Sequence, residues 1–199
     1  MRAWMRHTTD PTALRSATDG GTGGECGTIQ EERGKTMPDI TFRNAEEKDC
    51  ALILSFIKEL AAYEKLEGEV VADEATLREW IFEKQRAEVI FLCKDGKEAG
   101  YALFFHNFST FLGRAGIYME DLYVRPEHRG KGYGKALLQR IAKTAVERGC
   151  GRLEWNCLNW NRPSIDFYLS IGAEALSDWT VYRLSGETLR QVAGERAFA

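Results

Sequence analysis

The chain has 199 residues, 44% of them apolar and 29% charged, with a net charge of −3. These values fit one ordinary globular domain; no apolar run approaches the roughly 20 residues a membrane span needs, and the negative charge argues against general nucleic-acid binding. The five cysteines (Cys26, Cys50, Cys93, Cys150, Cys157) form no CxxC pair, and the three histidines (His7, His106, His128) stand far apart. No metal site is therefore expected, and free thiols in a reducing cytoplasm are the simple reading.

Residues 1–36 carry a Gly/Thr-rich tract, Thr18-Asp-Gly-Gly-Thr-Gly-Gly24, and almost no periodic apolar pattern. They read as a disordered extension without the apolar core of a secretory signal. The domain proper is expected over residues 37–199. Ile40-Thr-Phe-Arg43 reads as a first strand. Leu52, Ile53, Phe56, Ile57, Leu60 and Tyr63 recur at helical spacing. Asp73 is a candidate N-cap for a second helix carrying Leu77, Trp80 and Ile81. Glu88 to Lys94 and Ala99 to Phe108 read as a hairpin about Asp95-Gly96. Ile117 to Val124 is a further strand, and Gly132 to Arg148 an amphipathic helix. Arg152 to Leu158 reads as a strand, Arg162 to Ser170 as a helix and Trp179 to Leu184 as a last strand. Ser185 is positioned to cap a short terminal helix. The order implies a mixed α/β fold, antiparallel early, with a β-α-β unit late.

The segment Arg129-Gly-Lys-Gly-Tyr-Gly134 stands between a strand and a helix. Glycines let a loop turn tightly and bring N–H groups close to an anion. The following helix adds its unpaired N–H groups and the positive end of its dipole. Arg129, Lys131 and Lys135 add positive charge. Together these features suit a pyrophosphate. The spacing excludes a P-loop, because Gly130 to Gly134 is one residue short and Ala136 replaces the magnesium-binding hydroxyl. It also excludes a dinucleotide fingerprint, since GxGxG follows a five-residue gap containing Pro126.

The loop fits [QR]-x-x-G-x-[GA], the central motif of the GNAT superfamily of N-acetyltransferases, with Arg129, Gly132 and Gly134 on the fixed positions. From about Ile40 to Leu184 the chain resembles that superfamily, and within it the spermidine/spermine (diamine) branch. Three further segments carry the closer resemblance: Phe56-Ile-Lys-Glu-Leu-Ala-Ala-Tyr-Glu64, Tyr118-Met-Glu-Asp-Leu-Tyr-Val124 and Trp160-Asn-Arg-Pro-Ser-Ile-Asp-Phe-Tyr168. The resemblance implies a mixed, mostly antiparallel central sheet flanked by helices. It also implies a strand pair that splays apart at an acetyl-coenzyme A site.

Carried over residue by residue, it implies that Leu122, Tyr123 and Val124 offer backbone groups to the pantetheine arm. The pyrophosphate would meet Arg129, Gly130, Lys131, Gly132, Tyr133, Gly134 and Lys135. Asn161 and Ser164 would contact coenzyme A, although Asn161 is also a good N-cap. Tyr168 falls on the general-acid position, where a phenol can protonate the departing thiolate; the competing reading is core packing. Glu120 is the candidate base that takes the ammonium proton, directly or through water. Asp121 would face the opposite side of a regular strand. The competing reading makes both carboxylates loop anchors, paired with Arg125 or Arg129.

Tyr63 and Glu64 fall on the amine site of the diamine enzymes. Five acidic residues and one lysine lie from Glu64 to Glu74, a stretch that either attracts a polycation or is a solvated connector. The acidic connector before the last strand is shorter than in the polyamine enzymes, with Asp178 as the one nearby carboxylate. This leaves thialysine-type amines open as acceptors. Protein lysine, an antibiotic amine, or coenzyme A binding without turnover are the alternatives. The family resemblance further implies a homodimer, with Ser185 to Ala199 available to support it.

Overall fold

The computed structural model describes residues 40–195. The expected disordered extension over residues 1–36 lies outside them. Five strands form one sheet in the order β1-β2-β3-β4-β5. These are β1 (Ile40–Asn44), β2 (Glu88–Lys94), β3 (Lys97–Ser109), β4 (Arg114–Val124) and β5 (Leu153–Trp155). The first four pair antiparallel and β5 joins β4 in parallel. Helices α1 (Cys50–Glu64), α3 (Tyr133–Glu147) and α4 (Arg162–Ser170) flank the sheet. A short helix α2 (Glu74–Leu77) runs on into a π-helical stretch, Arg78–Glu83.

The local chemistry explains the elements. Val89 to Cys93 are all buried, as a central strand covered on both faces requires. Asp95 (φ 50°) and Gly96 (φ 76°) make the β2–β3 turn, where left-handed residues match the strand twist. Asp73 caps α2, accepting a 2.8 Å hydrogen bond from the Thr76 N–H, as its position predicts. On one side of the sheet, Ile53 and Phe56 of α1 pack with Val89, Phe91, Tyr101 and Tyr123. Phe56 stacks on Tyr101 at 5.0 Å and meets Phe91 at 5.8 Å. Truncating such a buried aromatic costs about 3–5 kcal/mol. On the other side, Leu137, Leu138, Ile141 and Ala145 form the buried face of α3. Gly100 permits the close approach there: a Cβ would stand 2.7 Å from the Tyr123 carbonyl and 3.2 Å from Leu137 Cδ1.

The end of the chain departs from expectation. Trp179 to Leu184 pairs with no strand among the described residues. Its alternation suits a strand, but a ladder needs a second edge. The sequence pattern of one segment cannot supply that edge. The terminal helix α5 (Gly186–Val192) does form after Ser185, although the Ser185 side chain makes no capping bond. Every residue from Glu174 to Glu195 is exposed.

Candidate active site

The site is built around the place where β4 and β5 part. Their pairing ends at Met119 and Trp155, while β4 continues to Val124. The Arg125 N–H bonds back to the Ala99 carbonyl of the neighbouring strand. By the alternation of an antiparallel pair, Leu122 and Val124 turn their backbone groups away from β3 and into the gap. Tyr123 does not share that edge: its backbone turns toward β3, and its ring is buried. The Val124 carbonyl accepts a 2.9 Å bond from Arg129 Nε.

The glycine loop opens directly beside this edge. Gly130 (φ 72°) and Gly132 (φ 81°) are both left-handed, a geometry that turns successive N–H groups to one side. Gly132 stands at the N-cap of α3, and no side chain caps the helix. Its first-turn N–H groups therefore lack intrahelical acceptors. A Cβ on Gly130 would meet nothing within 4 Å, so the cradle is open. These features fit a pyrophosphate carried by backbone donors. The side chains contribute less than their charges suggest. Arg129 stacks over the rings of Tyr63 (4.5 Å) and Tyr123 (5.2 Å). Lys131 Nζ donates to the Glu127 carbonyl. Tyr133 is buried, with its ring against His128, so only its backbone can face a ligand. Lys135 is exposed on the first turn of α3.

The two carboxylates of β4 are not arranged as a regular strand would have them. Leu103 pairs with Asp121 and Phe104 with Met119, which leaves Glu120 as an extra residue. Such a bulge re-aims the side chains around it. Tyr118 meets Phe105, and Asp121 accepts a 2.6 Å hydrogen bond from Tyr101, so Tyr118 and Asp121 share the α1 side of the sheet. Glu120 is exposed. Burial raises the Asp121 carboxyl, against the Tyr101 hydrogen bond that lowers it; Glu120 raises it further. Glu64, at the end of α1, is raised by burial and then by the charge of Asp121. Neither carboxylate pairs with Arg125 or Arg129. Arg125 instead grips Glu59 at 2.9 Å and the Glu98 carbonyl at 3.0 Å, over the Phe56 ring. That clamp fixes the start of the loop to α1.

Tyr168 lies on α4 with its ring 4.9 Å from Trp155, the last paired residue of β5. Its hydroxyl is pushed up to about 12, first by burial and then by Cys157 and Tyr63. It therefore stays protonated across the neutral range. Cys157 lies within electrostatic reach of both Tyr168 and Glu64, and burial raises its thiol, which disfavours a thiolate nucleophile. Asn161 is buried (8% exposed) at the head of α4, yet its side chain caps nothing. Its Oδ1 instead accepts a 3.2 Å bond from the Tyr63 hydroxyl, while the Tyr63 ring meets Trp160. Ser164 sits on the first turn of α4, half-buried.

The fold thus gathers Tyr63, Glu64, Asp121, Asn161 and Tyr168 along the gap, next to the loop. Asp178 is not gathered: it stands in the exposed terminal segment. Within the acidic stretch, Asp73 is committed to its cap. Tyr101 and the Arg125–Glu59 clamp escape sequence reasoning. Tyr101 sits in an apolar strand run, and a strand pattern assigns no acceptor to its hydroxyl.

The sequence and the fold each match known proteins. Residues 54–173 match the family model described as acetyltransferase (GNAT) family. The chain is 36% identical over 171 residues to thialysine N-epsilon-acetyltransferase of Bos taurus, covering 80% of this chain and 100% of that protein. It is 30% identical over 177 residues to spermidine/spermine N(1)-acetyltransferase-like protein 1 of Homo sapiens, covering 82% of this chain and 25% of that protein. Among solved structures, the integron cassette protein VCH_CASS6 from V. cholerae superposes with a TM-score of 0.66 at 28% identity, covering 78% of this chain and 98% of that one.

Proposed function

The chain belongs to the GNAT family of acetyltransferases and is an acetyl-CoA-dependent N-acetyltransferase; from that premise we propose that it acetylates a primary amine of a small polycationic or amino-acid-like substrate, by direct attack in a ternary complex. The observation that carries this reading is the pair of half-buried, cation-free carboxylates Glu64 and Asp121 at the end of α1 and on β4. Among the described residues no ion pair reaches either of them. A half-buried pair of like charges lacks a counterion, and a substrate ammonium supplies one. The relatives named for thialysine and for spermidine/spermine support the same class of acceptor.

In this reading Leu122 and Val124 hold the pantetheine arm through their backbone groups. The loop from Gly130 to Lys135 holds the pyrophosphate through its N–H groups, and Asn161 and Ser164 border the same gap. Acetyl-CoA supplies the acyl group as an activated thioester. Glu64 and Asp121 hold the amine. Asp121 or Glu120, directly or through water, takes the ammonium proton so that the nitrogen lone pair can attack. Tyr168 gives its proton toward the sulfur as the C–S bond breaks, a role its protonated state permits. No residue carries the acetyl group between the two substrates.

The test is an amine panel of thialysine, ornithine, spermidine and a lysine peptide, following free thiol release as kcat/KM. The expected order places the small amines well above the peptide. Turnover of the peptide alone would reverse it. Thiol release from none of the four, with acetyl-CoA still raising Tm, would favour a binding module.

The reading extends to a homodimer. Trp179, Val181, Tyr182 (91% exposed), Leu184, Leu189 and Val192 stand uncovered on one continuous segment. Such surfaces mark association sites, and a second copy of the chain is the proposed cover. Light scattering is expected to give twice the chain mass. A Trp179→Ser/Tyr182→Ser variant should return to a single mass, and a monomeric wild type would refute the arrangement.

A further inference from the structure

Tyr101 is wholly buried (0% exposed) at the centre of the sheet, stacked against Phe56. A phenylalanine would satisfy that packing. The hydroxyl is the added feature, and a buried hydroxyl needs a partner. It has one: Asp121 Oδ2, at 2.6 Å. The bulge at Glu120 makes the contact possible. It shifts the phase of β4 so that Asp121 and Tyr123 share the face of Tyr101.

We propose that Tyr101 is a positioning residue, whose hydroxyl holds the Asp121 carboxylate oriented and ionised to receive the substrate ammonium. The proposal rests on the assignment of Asp121 to the amine site. Around Asp121 stand Tyr101 on β3, Glu64 on α1 and Glu120 on its own strand; Glu59 and Glu64 face Tyr101 from α1. Every charged group in that list is negative. Burial and these charges both favour the neutral acid, and a neutral carboxyl neither attracts an ammonium nor accepts its proton. The Tyr101 hydroxyl opposes them, because a hydrogen bond donated to a carboxylate favours its charged form. The bond engages Oδ2, and Oδ1 accepts no hydrogen bond among the described residues, so it is available to the amine. Tyr101 itself stays a donor, since burial first and then Asp121 raise its hydroxyl far above the usual phenol range.

The test is Tyr101→Phe, which keeps the ring in its stack. The Asp121 carboxyl is titrated by carbon NMR on protein with labelled aspartate, assigned with Asp121→Asn. It should titrate at higher pH in Tyr101→Phe than in the wild type. With thialysine as acceptor, the acid limb of the kcat/KM profile should move to higher pH. The loss should be about tenfold near pH 7 and should recover at alkaline pH, with KM for acetyl-CoA unchanged. An unmoved Asp121 titration, or a pH-independent loss that follows a lower Tm, would overturn the role of Tyr101 alone. The NMR titration needs no substrate, so the amine assignment fails separately: Asp121→Asn with unchanged kcat/KM for thialysine would overturn both.

Discussion

The Tyr63 hydroxyl donates to Asn161 Oδ1 at 3.2 Å, tying the end of α1 to the head of α4 across the mouth of the strand gap. In the proposed site, Tyr63 stands on the amine side and Asn161 on the coenzyme A side. Arg129 stacks on the same Tyr63 ring, which brings the glycine loop into the contact.

This bridge predicts energetic coupling. Tyr63→Phe and Asn161→Ala should each lower stability, and the double variant should lose less than the sum. The shortfall is expected at about 0.5–1.5 kcal/mol, the net worth of one hydrogen bond. Denaturant unfolding of the four proteins measures it. Strict additivity would mean that the two side chains act independently.

Tyr168→Phe removes the proposed proton donor and keeps the ring against Trp155. The expected result is a fall in kcat of about a hundredfold or more. Coenzyme A affinity, read by calorimetry, should stay as in the wild type. Turnover unchanged by the substitution would remove Tyr168 from the chemistry and leave it as packing.

The glycines of the loop should differ in what they tolerate. Gly130 has φ 72° in open space, so Gly130→Ala suffers no clash, only left-handed strain of about 1–2 kcal/mol. A lower Tm and a raised KM for acetyl-CoA are expected. Gly134 lies inside α3, and its nearest neighbour to a new Cβ is Leu122 Cδ2 at 3.8 Å, an ordinary contact. Gly134→Ala should hold or raise Tm, since alanine adds up to about 1 kcal/mol of helix propensity. Equal destabilisation by both would refute the distinction.

Asp49 tests the acid stability of the fold. Arg43 bonds to it at 2.6 Å and also to Glu98 at 2.8 Å, and the Arg43 hydrogen bond lowers the Asp49 carboxyl below its ordinary value. A lowered folded-state value means stabilisation that is full above roughly pH 4, the unfolded range, and lost as pH falls through the folded value. Asp49→Asn should therefore melt below the wild type at pH 7. The gap should close as pH drops below about 4. A gap that stays constant with pH would exclude the ion pair as its source.

Several local features of the candidate site are legible in the chain itself. Arg129 to Gly134 sets backbone freedom and anion chemistry locally, because left-handed φ and first-turn N–H groups belong to consecutive residues. The helical periodicity of Leu52 to Tyr63 and the Asp95-Gly96 turn likewise depend on near neighbours. So does the cap at Asp73. Tertiary structure decided the rest. Asn161 is a good cap by type, yet its carbonyl went to Tyr63, a choice made by an element distant in sequence. Glu120 and Asp121 alternate on paper; a bulge, fixed by the register of β3 against β4, turned Asp121 toward Tyr101 and left Glu120 exposed. Trp179 to Leu184 has the pattern of a strand, yet it pairs with no strand among the described residues. Local chemistry fixes what a segment is able to do. Which partner meets it depends on residues brought near only by the fold, and no spacing along one segment encodes that meeting.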